Sequence, residues 1–132
     1  MANGALSEKQ LFEAADQLNL KLNPIHTLYD LPEKLPLGAN LILISLPEIP
    51  NQGHWVGLHV TNKKVYYFDP LAFKPPDELQ SYLNMPILAN STLIQPMNQN
   101  HCGSYCLLFL HDMKQKDGSL ESRFKKHVSR YL

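Results

Sequence analysis

Cys102 is a candidate nucleophile because it stands directly before an apolar run that ends at Leu110. The spacing of these apolar residues predicts a helix from Cys102 to about residue 116. At the N-terminus of that helix the sulfur lies beside unpaired backbone N–H groups and the positive end of the helix dipole, which favour a thiolate. A thiolate is the form of cysteine that attacks carbonyl carbons.

His54 and Asp69 could form the proton-carrying pair that such a nucleophile needs. Counted outward from the polar hairpin loop 61–64, Asp69 lies opposite Val56. His54 is two residues from Val56, on the same face of the sheet and diagonal to Asp69, where a carboxylate can hydrogen-bond the imidazole. In the alternative interpretation His54 is a structural residue whose hydrogen bonds are made within the hairpin, and Asp69 and Pro70 form only a turn that ends the strand. The other side chains predicted on this face are Val56, Leu58, Val60, Val65 and Tyr67.

An amide-rich loop, residues 95–100, leads into Cys102. Gln95 can aim its side-chain amide at the oxyanion that a thiolate attack creates. Asn98 is expected to support the loop through hydrogen bonds from its side chain to the backbone. In the alternative interpretation Cys102 and Cys106 are small buried helix residues, and the amides only solvate a loop.

Three residues beside these groups are candidates for a substrate groove. Gly103 removes side-chain bulk next to Cys102, and Gly53 precedes His54. Trp55 alternates away from His54 along the strand, so it either packs in the core or lines the groove. Both interpretations of Trp55 remain open.

Metal binding is disfavoured by the spacing of the cysteines. Cys102 and Cys106 lie near His101 and His111, but no Cys-x-x-Cys pair or second ligand pair is present. We expect no metal and no cofactor, and we expect Cys106 to be a small buried residue. Surface or packing roles are predicted for four of the six histidines: His26, His59, His101 and His127.

The elements that must position these side chains follow from periodicity and capping. Ser7 and Gln10 form a candidate capping box for the first helix. Helices are predicted over residues 8–20, 78–83, 102–116 and from Leu120 onward, and strands over 41–46, 54–60, 65–69 and 87–94. The run 41–46 lacks polar alternation, which favours a strand covered on both faces. Prolines exclude regular structure between residues 23 and 38. We predict a single α+β domain over residues 1–132.

Composition narrows the classes of partner. The 132 residues carry 12 Lys+Arg and 12 Asp+Glu, a formal net charge of +0, so no whole-domain field attracts nucleic acid or anionic lipid. No apolar run is long enough for a membrane span, and the first residues lack a secretory pattern. Two cysteines four residues apart do not suggest a disulfide framework, which predicts an intracellular reducing compartment.

The motifs together resemble the adenovirus-type cysteine proteases. The matching residues are Gly53-His54-Trp55, Tyr66-Tyr67-Phe68-Asp69-Pro70, Gln95-x-x-Asn98-x-x-x-Cys102-Gly103-x-Tyr105-Cys106 and Leu108-Phe109-Leu110-His111. The order of His, acid, Gln and Cys is shared with the deSUMOylase-type proteases of the same wider fold group. Gln95 stands seven positions before Cys102, a spacing similar to that of the viral branch.

The resemblance implies a permuted papain-like fold, with a central, mostly antiparallel sheet and the Cys102 helix packed on one face. It implies Cys102 as nucleophile, His54 as its base, Asp69 as the orienting acid and Gln95 as an oxyanion donor. The implied substrate is a protein cut after glycine. Viral maturation of structural precursors is the first choice, and removal of ubiquitin-like modifiers is the second. A non-catalytic binding module that keeps this set of residues is a third hypothesis.

Three departures from the family bear on regulation and partners. The chain is short, and its acid is Asp69 where the adenovirus enzymes have Glu. It has no cysteine between Asp69 and Cys102, so an activating peptide would have to bind without a disulfide. We expect weak or no nucleic-acid binding, a monomer, and a location in the host nucleus or cytoplasm and in the virion. Residual DNA affinity would come from the basic residues near the C-terminus: Lys114, Lys116, Arg123, Lys125, Lys126 and Arg130.

Overall fold

The computed structural model describes residues 6–46, 49–94 and 101–131. In chain order its elements are α1 (Glu8–Gln17), β1 (His26–Thr27), β2 (Gly38–Leu46), β3 (Ile49–Val60), β4 (Val65–Phe68), α2 (Asp77–Leu83), β5 (Ile87–Ala89), α3 (Cys102–Met113) and α4 (Leu120–Ser129). Within these described ranges, no helix is long and apolar enough to cross a bilayer.

The strands of this region form one sheet in the order β1-β2-β3-β4-β5. Strand β3 runs antiparallel to both of its neighbours, β2 and β4, whereas the edge strands β1 and β5 pair in parallel with β2 and β4. Val60 pairs with Val65 across the hairpin, as the loop 61–64 predicts. The α+β architecture with a mostly antiparallel central sheet is therefore confirmed.

Helix α3 lies on one face of this sheet, and α1 and α4 pack beside it. The core on this side includes Leu41, Phe68 and Phe109, and the two phenylalanine rings stack with centroids 5.0 Å apart. Each fully buried side chain of this size contributes about 1.5–3 kcal/mol of apolar burial. The strand β2 is covered on both faces, since Leu41 and Ile42 are each 0% exposed.

The opposite face carries the apolar and aromatic side chains that the sequence places on it. Val56, Leu58, Val60, Val65 and Tyr67 all belong to one buried cluster. Leu79 of α2 is 0% exposed within the same cluster, so α2 covers this side. A fixed hairpin register explains the agreement, because side chains alternate between faces with a period of two.

Gly57 lets α3 approach the sheet closely. A Cβ atom at this position would lie 3.2 Å from Phe109 and 3.3 Å from the Cβ of Cys106. Such contacts are tighter than van der Waals packing allows without movement, so a larger residue would push the helix away. The close approach brings the first turn of α3, and with it Cys102, beside Trp55 of β3.

The predicted boundaries differ from the observed ones in places where local signals are weak. The predicted capping box of α1 is confirmed, since the Ser7 hydroxyl accepts from the Gln10 N–H and the Gln10 side chain accepts from the Ser7 N–H. Ser119 caps α4 by accepting from the Ser122 N–H. Strand β1 was not predicted, because two residues among prolines carry no periodicity. The last predicted strand, 87–94, is wrong beyond Ala89. Helix α1 ends at Gln17 rather than at 20, and α3 ends at Met113 rather than at 116.

Candidate active site

His54 and Asp69 form a buried pair at one end of the sheet. The last bridge between β3 and β4 joins Gly57 to Phe68, so Asp69 follows directly after the ladder ends. His54 Nε2 lies 2.5 Å from Asp69 Oδ1, and the two side chains are 2% and 1% exposed. The structure thus places together the two residues that the hairpin count places on one diagonal.

The carboxylate of Asp69 is held by the main chain as well as by His54. The same oxygen, Oδ1, accepts a hydrogen bond of 2.8 Å from the Leu71 N–H. The Asp69 N–H and carbonyl are both hydrogen-bonded to the side chain of Asn90, a residue that no sequence motif singles out. Asn90 lies inside the predicted strand 87–94, and an asparagine, a residue that is uncommon within strands, was the signal that could have indicated it.

Cys102 lies at the N-terminus of α3, as predicted. His101 precedes the helix without a side-chain capping hydrogen bond, and the first turn contains no acidic residue. The positive end of the helix dipole is therefore not neutralised near the sulfur. The Trp55 backbone N–H donates to Cys102 Sγ at 3.2 Å, which is a further interaction that favours negative charge on sulfur.

The electrostatic environment favours the charged imidazole of His54. Burial by itself lowers the pKa of His54, but hydrogen bonds to Asp69 and Cys102 and the charges of both groups raise it to about 9. Because Asp69 occupies Nε2, Nδ1 is the ring nitrogen left to face the sulfur. An imidazolium is thus available at neutral pH to pair with a thiolate.

This raised pKa predicts how folding stability depends on pH. The pKa of His54 is about 9 in the folded chain against an ordinary value of 6.5. The stabilisation is therefore fully present below pH 6.5 and is lost as the pH rises through 9, with a slope of at most about 1.4 kcal/mol per pH unit. We expect the unfolding free energy of the chain to exceed that of His54→Gln most just below pH 6.5, and the difference to shrink as the pH rises to 9. Urea titrations of both proteins measure this difference, and a gap that widens towards pH 9 would contradict the assignment.

Cys106 is buried against the sheet, as the sequence predicts. It is 0% exposed, and its thiol lies 3.5 Å from the Trp55 carbonyl oxygen and 3.9 Å from that of Phe68. Burial raises the pKa of the Cys106 thiol well above its ordinary value. Cys106 is consequently a protonated packing residue rather than a second candidate nucleophile.

The proposed groove residues occupy different environments. Gly53 is exposed, whereas Trp55 is 8% exposed and belongs to the core cluster. A Cβ atom on Gly103 would lie 2.9 Å from Leu11 and 3.3 Å from the Trp55 ring, so the glycine also makes room for core packing. Of the two interpretations of Trp55, the structure favours the core. Substrate contact by these residues stays a prediction.

Gln95 and Asn98 lie outside the described residues, so their roles remain predictions. In the part of the chain that the structure describes, no group of three or more His, Cys, Asp or Glu side chains is arranged to hold a metal ion. His127 has the packing role predicted for it, since it is 1% exposed and its Nδ1 lies 2.6 Å from Asp112 Oδ2.

The architecture is a papain-like α+β fold, with the helix that begins at Cys102 packed on a central sheet. A crystal structure of the ASFV pS273R protease matches it with a TM-score of 0.61, at 13% sequence identity. The match covers 98% of this chain and 62% of that protein, so this chain spans less than two thirds of the length of its structural neighbour. At this identity the likeness shows the fold. No family model and no curated protein sequence matches the chain.

Proposed function

We propose that this chain is a viral cysteine endopeptidase of the adenovirus-protease type. The observation that carries the proposal is the placement of His54, which is bonded to Asp69 through Nε2 and lies near enough to Cys102 for that thiol to raise the pKa of the imidazole. The order of these residues along the chain resembles that family, and the fold is shared with a protease of ASFV. The site residues and the fold therefore both support a cysteine protease.

The reaction begins with the His54 imidazolium paired with the Cys102 thiolate. Sulfur attacks the peptide carbonyl carbon, a C–S bond forms, and the carbonyl electron pair moves to oxygen. The Cys102 N–H and the Gln95 amide stabilise this oxyanion, each donor contributing about 2.7–4 kcal/mol in comparable acyl-transfer sites. As the oxyanion collapses, the C–N bond breaks and His54 gives its proton to the leaving amine.

The second half of the reaction releases the acyl group. Neutral His54 takes a proton from water, and the resulting hydroxide attacks the thioester carbonyl carbon. The C–S bond then breaks, the carboxylic acid product leaves, and the sulfur is again a thiolate beside the imidazolium. Asp69 holds the imidazole in one orientation throughout, through its bond to Nε2.

The substrate class follows from the resemblance. We assign cleavage after glycine in viral structural precursor proteins, within a reducing compartment of the host cell and in the virion. Removal of a ubiquitin-like modifier after its Gly-Gly end uses the same residues on a folded substrate. It is favoured as the second candidate by the acid, which is Asp69 as in the modifier proteases and not Glu.

Cleavage assays with two substrates test the proposal. The purified chain is incubated with a short glycine-containing viral peptide and, separately, with SUMO and ubiquitin conjugates of a fluorophore. We expect the peptide to be cut, and preference for a modifier conjugate would favour the second candidate.

The same assays, repeated with duplex DNA and at two salt concentrations, test whether activity depends on nucleic acid. We expect the cleavage rate to change by no more than a few-fold. Folded protein without turnover or thiol labelling would favour a binding module.

Gln95 provides a second, independent test of the mechanism. We expect Gln95→Ala to lower kcat by about 10²–10³-fold with KM nearly unchanged, because an oxyanion donor acts on the transition state rather than on bound substrate. Alkylation of Cys102 should keep its rate in this variant. Steady-state kinetics with the peptide substrate measures the effect, and a rise in KM alone would make Gln95 a binding residue.

A further inference from the structure

Asn90 stands where the sheet ends beside the acid of the site. The ladder between β4 and β5 closes with Tyr67 opposite Ala89, and Asn90 is the next residue. Its side-chain amide pairs with the main chain of Asp69: Oδ1 accepts from the Asp69 N–H at 2.8 Å, and Nδ2 donates to the Asp69 carbonyl at 2.7 Å. The amide thus extends the strand pairing by one residue. Asn90 is only 6% exposed.

The direction of the Asp69 carboxylate depends on this backbone. A tight turn follows Asp69, because the Leu71 N–H bonds the carboxylate and the Ala72 N–H donates to the Asp69 carbonyl at 2.8 Å. Ala72 has a φ of 60°, a left-handed conformation that costs energy for alanine and has to be held by its surroundings. The turn therefore requires support, and Asn90 supplies it from the neighbouring strand.

Asn90 is itself fixed in place. Its backbone N–H donates to the Tyr67 carbonyl at 3.4 Å, and its Nδ2 also donates to the Thr92 carbonyl at 3.3 Å. An amide anchored in this way has a single orientation, with its oxygen towards the Asp69 N–H. Asn90 therefore restrains the Asp69 main chain, and the bond from Asp69 to Nε2 restrains His54.

We propose that Asn90 is a positioning residue of the site, which aims the Asp69 carboxylate at His54 by pairing with the Asp69 main chain. The inference rests on the proposed function, since it assigns Asn90 to the same proton-carrying pair. It adds a fourth residue to the pair and the nucleophile. Asn90 acts through Asp69 and does not contact the reacting atoms.

Asn40 offers a matched control for the structural contribution of a buried asparagine. It is 0% exposed, and its Nδ2 donates to the carbonyl groups of Pro36 and Gly38 at 2.9 and 3.2 Å. Asn40 lies on β2 opposite Leu58 of β3, towards the end of the sheet that lies away from His54. Asn40→Ala removes a similar set of hydrogen bonds without touching the site.

The test follows the imidazole of His54 directly. NMR titration of ¹³C-labelled histidine, with His54→Gln to assign the signal, is applied to the chain and to Asn90→Ala, Asn90→Ser and Asn40→Ala. We expect the pKa of His54 to fall by about one unit in both Asn90 variants, because a misaligned carboxylate stabilises the imidazolium less. It should stay unchanged in Asn40→Ala.

Kinetics with the peptide substrate provides the second readout. Both Asn90 variants should lose about tenfold in kcat with KM within about twofold, as expected for a group that acts on the chemical step. Folded Asn90 variants with an unaltered His54 titration would overturn the proposal, and so would an equal change in Asn40→Ala. Unfolding of both Asn90 variants while Asn40→Ala folds would also overturn it, by assigning Asn90 to stability alone.

The titration needs no turnover, so the two proposals fail separately. If the unsubstituted chain does not cleave any substrate, the proposed function fails. A shifted His54 titration in the Asn90 variants would still support Asn90 as the residue that positions Asp69.

Discussion

Replacing Cys102 with alanine should abolish peptide hydrolysis, lowering kcat by at least about 10⁴-fold. The side chain is small and buried, at 2% exposure, and α3 begins there without a side-chain cap. Loss of the sulfur should therefore leave the fold intact, which circular dichroism and urea titration can verify. The whole effect then belongs to the missing nucleophile.

Cys106→Ala is the matched control for this substitution. The second thiol is 0% exposed, lies on the same helix, and is protonated because burial raises its pKa. Activity in this variant should stay within a few-fold of the unsubstituted chain. Iodoacetamide labelling followed by mass mapping should modify Cys102 first. Labelling of Cys106 alone, or full activity of Cys102→Ala, would contradict the assignment of the nucleophile.

Substitution of Asp69 should have the next largest effect, and the two obvious variants should differ. Asp69→Ala removes the acceptor of His54 and is expected to lower kcat by about 10³-fold. In Asp69→Asn the amide oxygen can replace Oδ1, the atom that accepts from both His54 and Leu71. The Leu71 N–H then keeps that oxygen in place, so the imidazole stays oriented and only the charge is lost. We expect a smaller decrease, about 10–10²-fold.

The comparison is made by steady-state kinetics over a range of pH. Loss of the carboxylate charge should lower the pKa of His54 from about 9 towards its ordinary value, since that charge is one cause of the raised value. The pH–activity profile of Asp69→Asn should shift towards lower pH in the same way. An Asn variant that is as inactive as the Ala variant would show that the charge, and not the shared acceptor oxygen, carries the orientation.

The His54 and Asp69 pair could be predicted from the sequence because its geometry depends on residues that are close together in the chain. A four-residue loop sets the register of β3 and β4, and the register fixes which residues share a face. The helix at Cys102 could be predicted for a similar reason, since the apolar spacing and the position of the cysteine define the N-terminus of the helix. These two features needed only short stretches of chain.

The contacts that join these stretches could not be predicted from the sequence. The bond from the Trp55 N–H to Cys102 Sγ joins residues 47 apart, and Asn90 bonds a residue 21 positions before it. No periodicity or capping rule relates such positions, and only the packing of α3 and the alignment of β5 bring them together. The close contact between Gly103 and Trp55 is of the same kind.

The order of strands in the sheet follows the order of the chain, and this has a consequence for how the site assembles during folding. Neighbouring strands are close in sequence, so the hairpin of β3 and β4 closes a short loop at small entropic cost. We expect the His54 and Asp69 pair to form with that hairpin, before α3 docks. Under the proposed function, a nascent chain would then carry the acid and the base without the nucleophile in place, and would be unable to cut its neighbours until α3 has docked.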